Sequence, residues 1–265
     1  MKNNIAIAYF LAFAKNTWFW LGIWIFYYLR FTNYAGIGII ETVLIITMTL
    51  TEIPTGAVAD LLGKKKTLII AFLLEAIGAF MMAFAPNFQT IVFAVFVMCV
   101  GGAFYSGTLD ALVFDSLKQD GDEKKFDKVI SNISSISLIA PAVCSIIGGL
   151  VYGIDPRLPF ILNAVGYTLG FVLSFFLTEP KIDTIKFSFN NYLNQTGQGL
   201  KQLFKSYEVK WQTILLLSIG FITVISSEMV DSFVSFEFGF IDKQMGILWS
   251  VIFIISALAS QSTSY

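Results

Sequence analysis

The sequence predicts an all-α, polytopic membrane protein with eight transmembrane spans. Three observations carry that prediction. The 265 residues are 56% hydrophobic and 13% charged, with a mean hydropathy of +0.75. Soluble domains carry about 25% charged residues. Apolar runs long enough to cross a bilayer as a helix, about 18 residues or more, recur along the whole chain. The basic residues are concentrated in the segments that alternate with those runs. The net charge of −1 gives no electrostatic footprint for nucleic acid.

The first span, 5–31, outlasts the apolar core of a cleaved signal peptide, and the pairs Ala6/Ala8 and Ala12/Ala14 come too early for cleavage. It is expected to be retained as one helix. Its aromatic residues Trp18, Phe19, Trp20, Trp24, Phe26, Tyr27 and Tyr28 read first as an interfacial belt facing lipid. The alternative is a cavity lining for hydrophobic or cationic ligands.

The turn Asn33-Tyr34-Ala35-Gly36 opens the second span, 36–56, which Pro54 is expected to kink or end. Ala85-Pro86-Asn87 separates spans 65–85 and 89–117, and Gly153-Ile154-Asp155-Pro156 separates 129–152 and 159–178. Glu179-Pro180 then opens a polar connection that runs to Lys210. Within it, Phe189, Tyr192, Leu193, Thr196, Leu200, Leu203, Phe204 and Tyr207 recur every three or four residues. That spacing predicts an amphipathic helix on the membrane surface, with Lys201, Lys205 and Lys210 towards anionic lipid. Spans 211–236 and 244–260 close the chain. The expected organisation is a six-helix unit over 1–178, a cytoplasmic linker over 179–210 and a two-helix unit over 211–265.

Orientation follows from the basic residues. With the N-terminus inside, the inner segments hold Lys2, Lys64, Lys65, Lys66, Lys118, Lys124, Lys125, Lys128, Lys181, Lys186, Lys201, Lys205 and Lys210, which is 13 of 17. The outer segments hold Arg30, Arg157 and Lys243, and Lys15 lies within a span. A multi-pass protein of the cytoplasmic membrane with a cytoplasmic N-terminus is therefore expected.

Between the second and third spans runs Gly56-Ala57-Val58-Ala59-Asp60-Leu61-Leu62-Gly63-Lys64-Lys65-Lys66, read as a tight inner loop with a buried Asp. Gly56 and Gly63 permit close turning, and Asp60 is placed to accept backbone N–H groups at a nearby helix N-terminus.

This pattern resembles motif A of the major facilitator superfamily, matched by Gly56, Asp60, Gly63, Lys64 and Lys65, with Leu61 where a basic residue is usual. Glu52-Ile53-Pro54-Thr55-Gly56, the run from Ser106 to Leu117 and Ser227-Glu228-Met229-Val230-Asp231 are similar to a bacterial drug-exporter-like branch of that family. The resemblance implies two six-helix halves and secondary transport of a small molecule by alternating access, with proton-coupled efflux first and metabolite or sugar uptake second. It also implies that the motif A loop is a gating latch, whose partner in the family is helix 11. The pair Gly148 and Gly149 matches the end of the helix 5 antiporter motif, but Cys144 and Ser145 replace its Gly-Pro. The helix 4 arginine of many proton-coupled members is absent from 89–117. The chain ends after its eighth expected span. A remnant that does not transport, or a half that needs another polypeptide, is thus the reading from a different class.

The candidate proton and substrate pathway is Lys15, Glu52, Glu75, Asp110, Glu228 and Asp231. There is no histidine, so proton chemistry inside the membrane falls to carboxylates. Lys15 in mid-span costs about 3 kcal/mol on insertion scales. That cost is met by snorkelling or by pairing with Glu75 or Asp110. Glu52 is expected to pair with a basic residue of a neighbouring helix. Asp110 and Asp115 lie about 140° apart on a helix, so only one faces a given cavity. Asp115 is expected to pair with Lys118, Lys64 or Lys65. Glu228 and Asp231 share a helix face. Cys99 and Cys144 read as apolar packing residues. No nucleophile–base pair, metal-ligand cluster or phosphate loop is visible in the sequence, so neither an enzyme, a cofactor nor a metal is expected. The expected partners are the lipid bilayer, a small-molecule substrate and protons as coupling ion.

Overall fold

The computed structural model describes residues 2–181, 197–198, 205–224 and 231–262, and all of their regular structure is helical. Helix α1 (Lys2–Lys15) stops short, and turns carry the chain to α2 (Trp24–Tyr28). The predicted first span is therefore broken. The cause is local. Asn16 Nδ2 donates to the Ala12 carbonyl and Thr17 Oγ1 donates to the Ala14 carbonyl, both at 2.8 Å. The amide of Trp18 turns to the Asn16 carbonyl at 2.8 Å instead of continuing the helical ladder.

Helix α3 (Tyr34–Leu62) starts on Asn33, whose Oδ1 accepts the Gly36 amide at 3.1 Å. It does not end at Pro54, and so overruns the predicted span. Beyond the proline, the Thr55 hydroxyl lies within 3.0 Å of the carbonyls of Thr51 and, across the interface, Ala103. Those contacts hold the last turns in place. Gly63, at φ +92°, is the only residue between α3 and α4 (Lys64–Ala83). The predicted inner loop is thus two helix ends and a single left-handed glycine.

Asn87 caps α5 (Phe88–Tyr105) by accepting the Thr90 amide at 3.0 Å. Ser106 and Gly107, the latter at φ +67°, divide the predicted fourth span into α5 and α6 (Thr108–Gln119). Next come α7 (Phe126–Tyr152), α8 (Leu158–Ser174), α9 (Tyr207–Val224), α10 (Asp231–Glu237) and α11 (Asp242–Ser262). The predicted span 211–236 falls on α9 and α10, with 225–230 outside the described residues. Most of the expected amphipathic helix over 189–207 also lies outside them.

Among the described residues, four helical stretches are long and apolar enough to cross a membrane: Tyr34–Glu52, Lys64–Ala83, Phe88–Gln119 and Glu123–Tyr152. Leu158–Ser174 is a shorter apolar helix. Large apolar side chains such as Phe10, Phe13, Leu50, Phe93 and Leu169 point outward, as a lipid-facing surface requires.

Helix α4 packs between α5 and α8, α1 lies on α7 and α8, and α11 lies along α7. Close approach of α4 and α5 depends on small residues, since a Cβ on Gly101 would sit 2.8 Å from the Ala71 carbonyl oxygen. The core has two apolar clusters. One gathers Leu11, Leu68, Phe72, Leu112, Ile133 and Tyr167. The other gathers Ile23, Trp24, Ile37, Met82, Ile91 and Phe160. Along the first span, Lys15 falls between the residues of the two clusters.

Candidate functional site

Lys15 is the last residue of α1, and Glu75 lies on the buried face of α4. The Lys15 ammonium donates to Glu75 Oε1, with the lysine side chain 17% exposed and the glutamate side chain 3%. Nζ also lies 5.2 Å from the ring centre of Tyr105 and 5.9 Å from that of Tyr167. A charge this deep is tolerable when paired and ringed by aromatic faces. The second carboxylate oxygen, Glu75 Oε2, is buried with no hydrogen-bond partner among the described residues.

Two cavities meet at Lys15, and Glu75 lines the first of them. The first encloses about 270 Å³ and is lined by Lys15, Trp18, Trp20, Trp24, Tyr28, Glu41, Met48, Glu75, Met82, Met98, Phe160, Tyr167 and Trp249, with further apolar residues. The aromatic residues of the first span therefore face inward in good part. Trp24, Tyr27 and Tyr28 are buried, which replaces the lipid-belt reading with the cavity reading. The break after Lys15 turns this segment towards the core. The Nε1 of Trp20 is buried without a partner among the described residues. The second cavity, about 470 Å³, is lined by Lys15, Asn16, Tyr105, Asp110, Ile130, Ile133, Ser134, Ser137 and Leu138. Lys15 belongs to both walls.

The motif A residues lie at the other end of α3. Asp60 is exposed rather than buried, and Leu61 takes the buried position. The role expected of Asp60 falls to Glu179. Its Oε1 accepts the Lys64 amide at 2.7 Å and its Oε2 accepts the Lys65 amide at 2.8 Å, so the carboxylate caps the N-terminus of α4. Asn4 positions that glutamate by bonding both main-chain groups of Thr178, at 2.8 and 2.9 Å. The Lys64 ammonium meets Asp115 at 2.7 Å, one of the pairings expected for that aspartate.

Glu52 is exposed, and among the described residues its carboxylate accepts the Ser106 hydroxyl at 2.7 Å rather than pairing with a basic side chain. The α5–α6 break sets Ser106 opposite it. Asp231 opens α10, but its side chain is not among those described, and Glu228 lies outside the described residues. Gly148 and Gly149 sit where three segments touch. A Cβ on Gly148 would run into the Phe19 carbonyl, and one on Gly149 would come within 2.8 Å of the Asp242 carbonyl oxygen. Beside them, the Ser145 hydroxyl donates to the Gly246 carbonyl at 3.1 Å. Cys99 and Cys144 are buried free thiols.

Sequence reasoning missed two carboxylates. Glu41 is buried in the wall of the first cavity, and an acidic residue inside the apolar run 37–50 was the signal for it. Glu179 carried no such signal, because Glu179-Pro180 reads simply as a turn.

A family model described as the Major Facilitator Superfamily matches residues 5–264. An uncharacterized MFS-type transporter of Bacillus subtilis, YxaM, is 22% identical over 86% of this chain and 57% of its own length. The multidrug resistance protein MdtL of a Shewanella species is 25% identical over 87% of this chain and 57% of its own. The quinolone resistance protein NorA of Staphylococcus aureus is 25% identical over 49% of this chain and 32% of its own. The chain thus spans little more than half the length of the first two. Among solved structures, a peptide transporter POT in complex with sulfate superposes with a TM-score of 0.53 at 13% identity, over 88% of this chain and 49% of that one. That likeness concerns the fold.

Proposed function

We propose, from the premise that this chain belongs to the major facilitator superfamily, that it serves secondary active transport of a small molecule across the cytoplasmic membrane. The direction is efflux, the driving force is proton exchange, and the mechanism is alternating access. The N-terminus is cytoplasmic in this reading, because Lys64, Lys65 and Lys66 then lie on the inner side. The unit 1–178 and the residues beyond the linker 179–210 belong to the two halves that rock.

The observation that carries the reading is the first cavity. It joins four aromatic rings of the first span to methionines and two carboxylates. Such a lining suits a flat apolar molecule with a positive charge. The printed names of the multidrug and quinolone resistance relatives support efflux. Glu75 and Asp110 supply proton-binding carboxylates on the two cavity walls, and Glu228 and Asp231 are further candidates.

The test is dye movement in proteoliposomes. A lipophilic cationic dye is expected to move against its gradient when a proton gradient is imposed, and to stop when nigericin collapses that gradient. Dye movement that is indifferent to nigericin removes the proton coupling, and no movement at all removes the transport reading.

A further inference from the structure

We propose that Lys15 is a mobile counter-ion that alternates between Glu75 and Asp110, and that its position opens and closes the barrier between the two cavities. The idea rests on the proton-coupled reading above and assigns the moving part.

Four observations point to it. Lys15 lines both cavities, with Glu75 on the wall of the first and Asp110 on the wall of the second. Its ammonium lies between two aromatic rings, of which Tyr167 lines the first cavity and Tyr105 the second. The face of Tyr105 thus offers the cation a foothold on the way to Asp110. Lys15 ends α1 where regular helix gives way to turns, so its side chain is not clamped by helix on both sides. Finally, Glu75 Oε2 is buried with no partner among the described residues, which marks the oxygen where a proton adds.

The charge steps balance. Lys15 remains an ammonium throughout. A proton from the aqueous side adds to Glu75 and turns the carboxylate into a neutral acid. The ammonium loses its counter-ion there and turns to Asp110, which has no ion pair among the described residues. Loss of the proton from Glu75 restores the carboxylate and draws the ammonium back. The other groups around Lys15 are Glu41 from α3, Cys99 and Tyr105 from α5 and Tyr167 from α8. Helix α7 faces this cavity with Ser134 and Ser137.

The position of the ammonium is read by zero-length cross-linking. Membrane vesicles containing the full chain are treated with dicyclohexylcarbodiimide, and amide links are located by mass spectrometry after digestion. The native chain at pH 8 is expected to give a Lys15–Glu75 link, and Glu75→Gln a Lys15–Asp110 link. The Lys64–Asp115 link serves as the internal sign of an intact fold. Glu75→Gln that keeps the Lys64–Asp115 link but forms no Lys15–Asp110 link overturns the proposal. The native chain is also compared at pH 5 and pH 8, which keeps the test decisive if Glu75→Gln does not fold. A several-fold rise at pH 5 of the Lys15–Asp110 link relative to the Lys64–Asp115 link, which corrects for the pH dependence of the reagent, supports the alternation, and an unchanged ratio of the two overturns it. Cross-linking needs no transport. A failed dye assay therefore leaves a positive result standing, and a missing link leaves proton coupling through other carboxylates standing.

Discussion

Glu179 holds Lys64 by its main chain, with the carboxylate 2.7 Å from the first amide of α4 and 2.8 Å from the next, at Lys65. Two charge-assisted bonds at a helix N-terminus stabilise it by about 1–2 kcal/mol in a partly buried setting. Glu179→Ala is expected to lower the midpoint of thermal unfolding in detergent, while Asp60→Ala leaves it unchanged. Equal midpoints for the two variants would show that the cap contributes nothing.

Asp60 is exposed, and the motif A resemblance, not its packing, is what gives it a proposed gating role. Asp60→Asn should reduce transport while leaving membrane insertion and expression intact. Transport at the native rate in that variant removes the latch assignment.

Lys15 and Glu75 should be coupled energetically. Lys15→Met leaves a carboxylate that is 3% exposed without its cation, at a cost of about 3–5 kcal/mol. The double variant Lys15→Met/Glu75→Gln should recover most of that loss. A double-mutant cycle on unfolding in detergent measures it, and additive single effects contradict the pairing.

Gly148 has no room for a side chain, because a Cβ there meets the Phe19 carbonyl. Gly148→Val should cost about 1–3 kcal/mol through overpacking and push the first span away from α7. Gly38→Val, at a position with open space around it, is the matched control. The two variants are compared by thermal unfolding, and equal stability contradicts the packing account.

Trp20 lines the first cavity, and its N–H is buried without a partner among the described residues, where a ligand acceptor could meet it. Trp20→Phe keeps the ring stacking and removes the donor, so ligands that accept a hydrogen bond should lose roughly 3- to 10-fold in affinity. Ligands without an acceptor should bind as before. Quenching of the remaining tryptophan fluorescence by dye gives both numbers.

What the sequence disclosed was set by what a single residue can report. The breaks at Asn33-Tyr34-Ala35-Gly36 and Ala85-Pro86-Asn87 were legible from their turn chemistry, though the capping roles of Asn33 and Asn87 emerged only in the structure. Lys15 and Glu75 stood out because a charge in an apolar run demands a partner. The breaks after Lys15 and Tyr105 were hidden, since hydropathy stays high across a turn whose amides are satisfied by Asn, Thr and Gly. The swap of Asp60 for Glu179 was equally hidden. It depends on which of two carboxylates, 119 residues apart, the packing of α8 brings to the start of α4.

The pairing of Lys15 with Glu75, 60 residues further along the chain, also constrains biogenesis. At about 5–20 residues per second, the lysine emerges from the ribosome some 3–12 s before its counter-ion. During that interval the first span carries an unneutralised ammonium and a broken helix. It is therefore poorly suited to leaving the insertion machinery alone. Its stable entry into the bilayer is expected to wait for α4, and a chain truncated before Glu75 should be retained at the insertion machinery longer than one truncated beyond it.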